Sequence, residues 1–393
     1  MHPSPGALAR SRRRQSSPER AFTGYDRFTA MSRFGALDGL RALSVIAVVW
    51  HHTSGVPGPA IATKGYLGVD FFFAISGFLI TTLLVRESAA TGGISLSRFY
   101  ARRALRIFPL YYATLLLYVV LVLATQRHTP EGQRFLHHLP AYATYTSNWF
   151  VHLEHGATET FYFAWSLATE EQFYVLWPPL LVVALSISRR RVWAPLLVLA
   201  VLITASQAAG VITDTSKLPG AIVSSLSLPI LVGAAAALVV STPQGFARVA
   251  TVLGRAWSAP VCATALLCAL AVDTPSAITQ CLMVCLVVAL CLLERTPLHP
   301  VLQWRPLQFI GVISYGVYLL HMLCANIVFR LIAHEHSVPV FAATLALSTA
   351  AAYFSFRFFE TPLLRIKRRF ESAGQRRGDE LSRISPIHPR TDR

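Results

Sequence analysis

Apolar residues in this chain gather into long runs separated by short polar stretches, instead of alternating with polar positions. Ten runs approach the ~20 residues that a helix needs to cross a hydrocarbon core of about 30 Å. They lie near 35–54, 66–86, 107–125, 160–186, 193–210, 220–240, 257–272, 277–293, 307–331 and 340–360. The pattern predicts an all-α fold, a polytopic membrane helix bundle of about ten transmembrane helices. The stretch Leu136–Phe150 is also apolar, but it is short and contains Pro140 and Asn148, so it reads as a re-entrant or surface helix. No internal repeat of the kind built into inverted-repeat carriers is visible.

The connections divide by charge. One side carries Arg98, Arg102, Arg103 and Arg106; Arg189, Arg190 and Arg191; Arg248 and Arg255; Arg295 and Arg305; and both tails. The other side, 55–65, 211–219, 273–276 and 332–339, has two lysines and no arginine, and the longer loop 126–159 adds only Arg127 and Arg134. Basic residues stay on the cytoplasmic side of membrane spans, which puts both termini in the cytoplasm. Three regions follow: a basic, disordered tail at 1–33, a membrane domain at 34–364 and a second basic tail at 365–393. The first 33 residues hold seven arginines against two acids, and from Leu364 onward nine Lys/Arg face four acids.

Composition narrows the class. Hydrophobic residues are 54% of the chain and charged residues 14%, against about 25% charged in a soluble domain. Spread over the whole length, that excess excludes a soluble enzyme with a single anchor. The net charge of +16 sits outside the apolar runs. Topology accounts for it without a nucleic-acid partner, and the lipid bilayer is the surface these flanks fit. The six cysteines fall within apolar runs and form no CxxC pair, so they read as small buried hydrophobes. His128, His137, His138, His152 and His155 crowd the outer loop without a cysteine or carboxylate at ligand spacing, so no metal is expected.

The first apolar run holds Asp38, Arg41, His51 and His52. Ionisable groups inside a span are costly and point to function. At about 100° per residue, Arg41 and His52 fall within roughly 20° of one helix face and about 16 Å apart, while His51 points about 80° away. Asp38 and Arg41 are one turn apart, so they neutralise each other or orient a ligand. Arg103 and Arg106 share a helix face in a basic loop, which suits either phosphate binding or topology alone. Asp70, in the second span, needs a partner, and Arg41 is one candidate. Tyr315, Tyr318 and His321 form a stripe that aromatic packing explains as well as substrate contact does. Glu360 before Pro362 reads as a structural helix end paired with Arg357.

Six stretches occur in order: Asp38-Gly-Leu-Arg41 with His52; Gly68-Val-Asp-Phe-Phe-Phe-Ala-Ile-Ser-Gly-Phe-Leu79; Phe99-Tyr-Ala-Arg-Arg-Ala-Leu-Arg-Ile-Phe-Pro-Leu-Tyr111; Trp165-Ser-Leu-Ala-Thr-Glu-Glu-Gln-Phe-Tyr174; Ser314-Tyr-Gly-Val-Tyr-Leu-Leu-His321; and Phe358-Phe-Glu-Thr-Pro362. Together they resemble the acyltransferase-3 family of integral membrane acyltransferases, which modify sugars, lipopolysaccharide, peptidoglycan and macrolides. The resemblance implies transfer of an acyl group, often acetyl from acetyl-CoA, to a hydroxyl. It places the family's Arg and His on Arg41 and His52, its RxxR on Arg103 and Arg106, and its carboxylate on Glu170. Many relatives carry an added esterase-like domain; about 30 residues follow Pro362 here, so a stand-alone form is expected.

The expected function is therefore O-acyl transfer from acyl-CoA to a carbohydrate-containing acceptor, an envelope glycan or glycolipid. A glycosylated natural product such as a macrolide is the alternative acceptor, a secondary transporter the alternative class, and a non-catalytic scaffold a third. His52 would take the hydroxyl proton, or act as a nucleophile through an acyl-imidazole. Arg103 and Arg106 would hold the donor's phosphates, its pantetheine arm would run past Arg41, and Asp38 with Arg41 would stabilise the helix entry and orient the donor. Glu170 would orient the imidazole or bind the acceptor, and Glu171 would be a loop-facing or structural neighbour. No permanently bound cofactor is expected, and acyl-CoA is a substrate. Nothing in the sequence specifies an oligomeric state.

Overall fold

The computed structural model describes residues 24–31, 33–55, 60–151, 159–189, 191–212, 218–272, 274–332 and 336–367. Most of both tails, and with them His152 and His155, lie outside the described residues. The helices are α1 (Gly24–Ala30), α2 (Gly35–Thr53), α3 (Gly68–Thr91), α4 (Leu96–Thr125), α5 (Pro130–Ala143), α6 (Trp165–Ile187) and α7 (Trp193–Ile212). They continue with α8 (Leu228–Val240), α9 (Pro243–Leu253), α10 (Ser258–Ala271), α11 (Ser276–Leu292), α12 (Arg305–Val312), α13 (Ser314–Leu331) and α14 (Val338–Phe354), joined by shorter turns. No strand occurs among the described residues.

Helices fill all ten predicted segments, so the chain is a polytopic helical membrane protein. Four single segments are long and apolar enough to cross a bilayer: Gly65–Thr91, Leu96–Thr125, Ser314–Leu331 and Val338–Arg365. Two bent pairs, α1 with α2 and α8 with α9, raise that to six if each pair is one crossing. The ends of several helices are written in the sequence. Thr129, Thr242 and Ser337 each accept a backbone N–H at the start of α5, α9 and α14, and a proline follows within the first turn.

Three segments differ from the reading of the apolar runs. The 220–240 run is broken before α8, because Ser227 is extended and Pro229 follows within the first turn, where it cannot continue a preceding helix. The basic stretch 98–106 is not a loop but the opening turns of α4. Its arginines mark where apolar surface ends, not where the helix does. Finally, Gly24–Ala30 within the tail expected to be disordered is helical. Phe28 is buried against the rings of Phe34 (5.9 Å) and Phe246 (5.5 Å). Arg86 from α3 donates to the carbonyls of Phe28 and Met31, each at 2.6 Å, which fixes the end of α1.

Helix α3 is central. Phe73, Ile80 and Leu84 join one apolar cluster with residues of α2, α4, α6 and α13, while Ala74, Ile75 and Phe78 join a second with α1, α10 and α11. A helix buried on all sides reads apolar all round, as this one does. Close backbone approach fixes its neighbours. A side chain at Gly77 would meet the Ile230 carbonyl oxygen at 1.9 Å, and one at Gly311 would meet the Asp38 carbonyl oxygen at 1.8 Å. The second approach presses α12 against the start of α2 and thereby sets the position of Asp38 and Arg41. Gly311→Val is expected to push those helices apart, at an overpacking cost of about 1–3 kcal/mol. Thermal unfolding in detergent should show a lower midpoint than the parent; an unchanged midpoint would mean that this approach does not fix α2.

Candidate functional site

A cavity of about 1220 Å³ opens among α1, α2, α3, α4, α6 and α13. Small-ligand pockets commonly span roughly 300–1,000 Å³, so this one has room for an extended, nucleotide-sized molecule. Arg41, Arg98, Arg102, Arg103 and Arg106 line it together with Glu87, Glu170 and Glu171. Apolar walls come from Val69, Phe72, Phe73, Leu79 and Ile80, with Tyr25 and Phe28 of α1 and Met31 just beyond it.

Arg86, whose guanidinium is engaged with the carbonyls of Phe28 and Met31, also lines the cavity, and the other five arginines are not equivalent. Arg98 and Arg102 lie 3.8 and 3.4 Å from Glu87 and are partly neutralised by it. Arg103 and Arg106 have no such ion pair among the described residues. Arg103 stacks over the Tyr174 ring, 3.7 Å from its centroid, and its Nε is buried without a hydrogen-bond partner among the described residues. Arg106 is exposed, and it borders the cavity. Arg41 lies within electrostatic reach of Arg106, so three guanidinium groups from α2 and α4 face one space. Like charges gathered in this way suit a polyanionic ligand that offers bidentate phosphate oxygens.

Asp38 makes the one-turn pairing expected with Arg41, but it shares its carboxylate with a second cation. Arg33 donates to Asp38 through two nitrogens, and Arg41 approaches the other carboxylate oxygen only at 3.6 Å. The closer cation is thus Arg33, whose side chain is well exposed, and Arg41 keeps most of its donors for the cavity. Asp70 departs from expectation. Its partner is Gln280 of α11, whose Nε2 donates at 3.1 Å, because α3 turns that face toward α11 and away from Arg41.

Opposite the arginines stand the two glutamates of α6. Ser76 of α3 donates to Glu170 Oε1 at 2.5 Å, and the Tyr174 hydroxyl donates to Ser76 at 2.8 Å. Glu170 lies within electrostatic reach of Arg103 and Arg41. Glu171 is buried and also borders the cavity; it does not face a loop, because α6 begins at Trp165 and carries both carboxylates inside the bundle. On the part of the cavity wall that α13 supplies, the Tyr318 hydroxyl donates to Phe163 O (3.1 Å) and shares a hydrogen bond with Ser166 (2.6 Å). The Tyr318 ring lies 5.5 Å from the His321 ring, which in turn lies 5.1 Å from that of His52. The order from cavity outward is therefore Tyr318, His321, His52.

Residues 34–357 match the acyltransferase-3 family, described as an acyltransferase domain. This chain belongs to the acyltransferase-3 family. Among relatives, it is 28% identical over 354 residues to the "Putative peptidoglycan O-acetyltransferase YrhL" of Bacillus subtilis, covering 83% of this chain and 54% of the relative. It is 28% identical over 356 residues to the "Peptidoglycan O-acetyltransferase OatA" of Listeria monocytogenes, covering 84% and 55%. A Staphylococcus aureus protein named as a putative O-acetyltransferase is 37% identical over 175 residues, 43% of this chain and 28% of the relative. The chain spans about half the length of the two full-domain relatives. No solved structure matches it.

In this acyltransferase-3 chain the cavity brings together Arg41, Arg103, Arg106 and Glu170 from separate motifs. His52 is not among the side chains that line it. Its ring sits half-buried beside His321, whereas His51 is exposed and packs against Tyr66 at 5.4 Å. Glu170 is held by Ser76 and not by an imidazole. Sequence reasoning passed over Ser76, Tyr174, Arg33 and Ser166. Ser76 sits inside the Ala-Ile-Ser-Gly-Phe stretch and Tyr174 one turn beyond Glu170, so the motifs contained both without indicating that they touch. Glu360 accepts from Ser355 at 3.3 Å, while Arg357 lies over Phe358.

Proposed function

We propose that this protein is an O-acyltransferase of the cell membrane, with residues 34–364 as its catalytic unit. It would move an acyl group, acetyl foremost, from acyl-CoA to a hydroxyl of a carbohydrate-containing envelope acceptor. The names of the two full-domain relatives point to peptidoglycan as the first acceptor to try. The observation that carries this reading is one cavity lined by Arg41, Arg103 and Arg106 together with Tyr318 and Ser166, with the imidazoles next to Tyr318.

In this reading the basic end faces the cytoplasm, where the donor is made. Arg103 and Arg106 hold its phosphates by charge-assisted hydrogen bonds, and Arg41 lies farther along the cavity. Asp38 steadies Arg41 without quenching it, since Arg33 takes most of its charge. Glu170, fixed by Ser76, orients the arginines that face it. The apolar stretch through Val69, Phe72 and Phe73 excludes water from the thioester. His52 accepts the hydroxyl proton as the acceptor oxygen attacks the thioester carbonyl; the carbon–sulfur bond breaks, and the thiolate leaves and is protonated.

The test is thiol release by the purified protein in liposomes supplied with acetyl-CoA, with and without soluble peptidoglycan fragments. Acceptor-dependent thiol release together with acetylated glycan is the expected result. Release of neither product across glycan, glycolipid and macrolide acceptors would overturn the reading. Passage of unmodified labelled substrate across the liposome would instead favour a transporter.

A further inference from the structure

His52 lies in the last turn of α2 and His321 in the middle of α13, with ring planes inclined at 58°. Each ring turns Nδ1 to a carbonyl of its own helix: His52 to Val48 O at 2.9 Å, and His321 to Tyr318 O at 2.5 Å. A carbonyl can only accept. In both neutral rings the proton therefore sits on Nδ1, and Nε2 carries the lone pair. His321 is wholly buried, and its Nε2 has no hydrogen-bond partner among the described residues. A buried acceptor left unpaired destabilises the fold unless it gains a donor. Tyr318 cannot relieve it, since its hydroxyl is committed to Phe163 O and Ser166. Phe163 offers only a ring, 5.3 Å away. His51 and His336 are within electrostatic reach of His52, but both are exposed, so water reaches them and neither supplies a dry acceptor.

We infer that His321 is a positioning residue for acyl transfer: its Nε2 accepts a hydrogen bond from His52 once His52 is protonated, so the two imidazoles hold one proton between them. This rests on His52 being the base. As the acceptor oxygen bonds to the thioester carbonyl carbon, its proton passes to His52 Nε2. The carbon–sulfur bond breaks with its electron pair on sulfur, and the proton held by the imidazole pair then goes to that thiolate. In many hydrolytic sites a carboxylate both orients the imidazole and steadies its charge. Here the two tasks are divided: Val48 O orients His52, and His321 steadies the proton it gains.

The experiment compares steady-state transfer by the parent with His321→Leu and His321→Met, which fill the space without an acceptor. His321→Gln, whose amide oxygen reaches the place of Nε2, serves as the rescue. A hydrogen bond to a charged group is worth about 1.5–3 kcal/mol, or roughly 10- to 150-fold. The Leu and Met variants should lose that factor in kcat, with donor and acceptor KM within twofold of the parent, and Gln should recover most of it. Two variants guard against one failing to fold, with thermal unfolding as the check. A folded Leu or Met variant with parental kcat would overturn the inference, as would a Gln variant no better than either. A dead His52→Ala beside an unimpaired His321→Leu sinks this inference alone; an active His52→Ala sinks the base assignment and this inference with it.

Discussion

Replacing His52 with alanine is expected to reduce acyl transfer by about 10²- to 10⁴-fold, the range that a positioned general base supplies, without unfolding the protein. The second half follows from where the side chain sits. Among the described residues its side-chain hydrogen bond runs to Val48 O within its own helix, and the residue is half-exposed near the end of α2. Removing it leaves a small gap and, among the described residues, orphans no hydrogen-bond partner on another helix. His51→Ala provides the comparison, because His51 is exposed and packs on Tyr66; its activity should stay within twofold of the parent. Acceptor-dependent thiol release, measured on both variants after thermal unfolding confirms that they fold, settles the matter. Parental turnover in His52→Ala would remove the imidazole from the chemistry altogether.

Reversing charge at the basic end of the cavity should have the second-largest effect, and it should fall on donor binding. Arg103→Glu places a carboxylate beside Glu170 and Glu171, removes the cation from the Tyr174 ring, and takes one donor from any phosphate held there. Loss of a charge-assisted hydrogen bond costs about 1.5–3 kcal/mol, and like-charge repulsion adds to it. The KM for acetyl-CoA should rise at least tenfold, with less change in the acceptor KM. Arg98→Glu should do less, since Arg98 already lies beside Glu87 and is more exposed. Equal effects from both changes, or an unaltered donor KM in Arg103→Glu, would reduce the arginines to topology.

The helical fold was legible because bilayer-length apolar runs have few other structural outcomes, and each of the ten runs is helical. What escaped the sequence lies in three dimensions. The residues 98–106 read as a loop because arginine ends an apolar run, yet arginine is a good helix former and α4 continues through them. The site's members were legible one motif at a time: Arg41, Arg103, Arg106 and Glu170 each stand in a stretch of mixed charge and apolar residues. Their convergence was not, since nothing in the spacing says that α2, α4 and α6 surround one space. Helix phase favoured His52 over His51, and the structure does turn His52 toward His321. The same phase argument joined His52 to the cavity of Arg41, and there it fell short, because Tyr318 lines the cavity and the imidazoles lie behind its ring. Asp70 shows the limit plainly: its partner, Gln280, is 210 positions away.

Helix α1 has a practical implication. The family match starts at residue 34, whereas Tyr25, Phe28 and Met31 precede that boundary and wall the chamber. Trimming the protein to its matched segment would unroof one flank and strip Arg86 of both carbonyl acceptors. A shortened version that proves sluggish would then betray a lost shutter on the chamber, not a fault in the reacting groups.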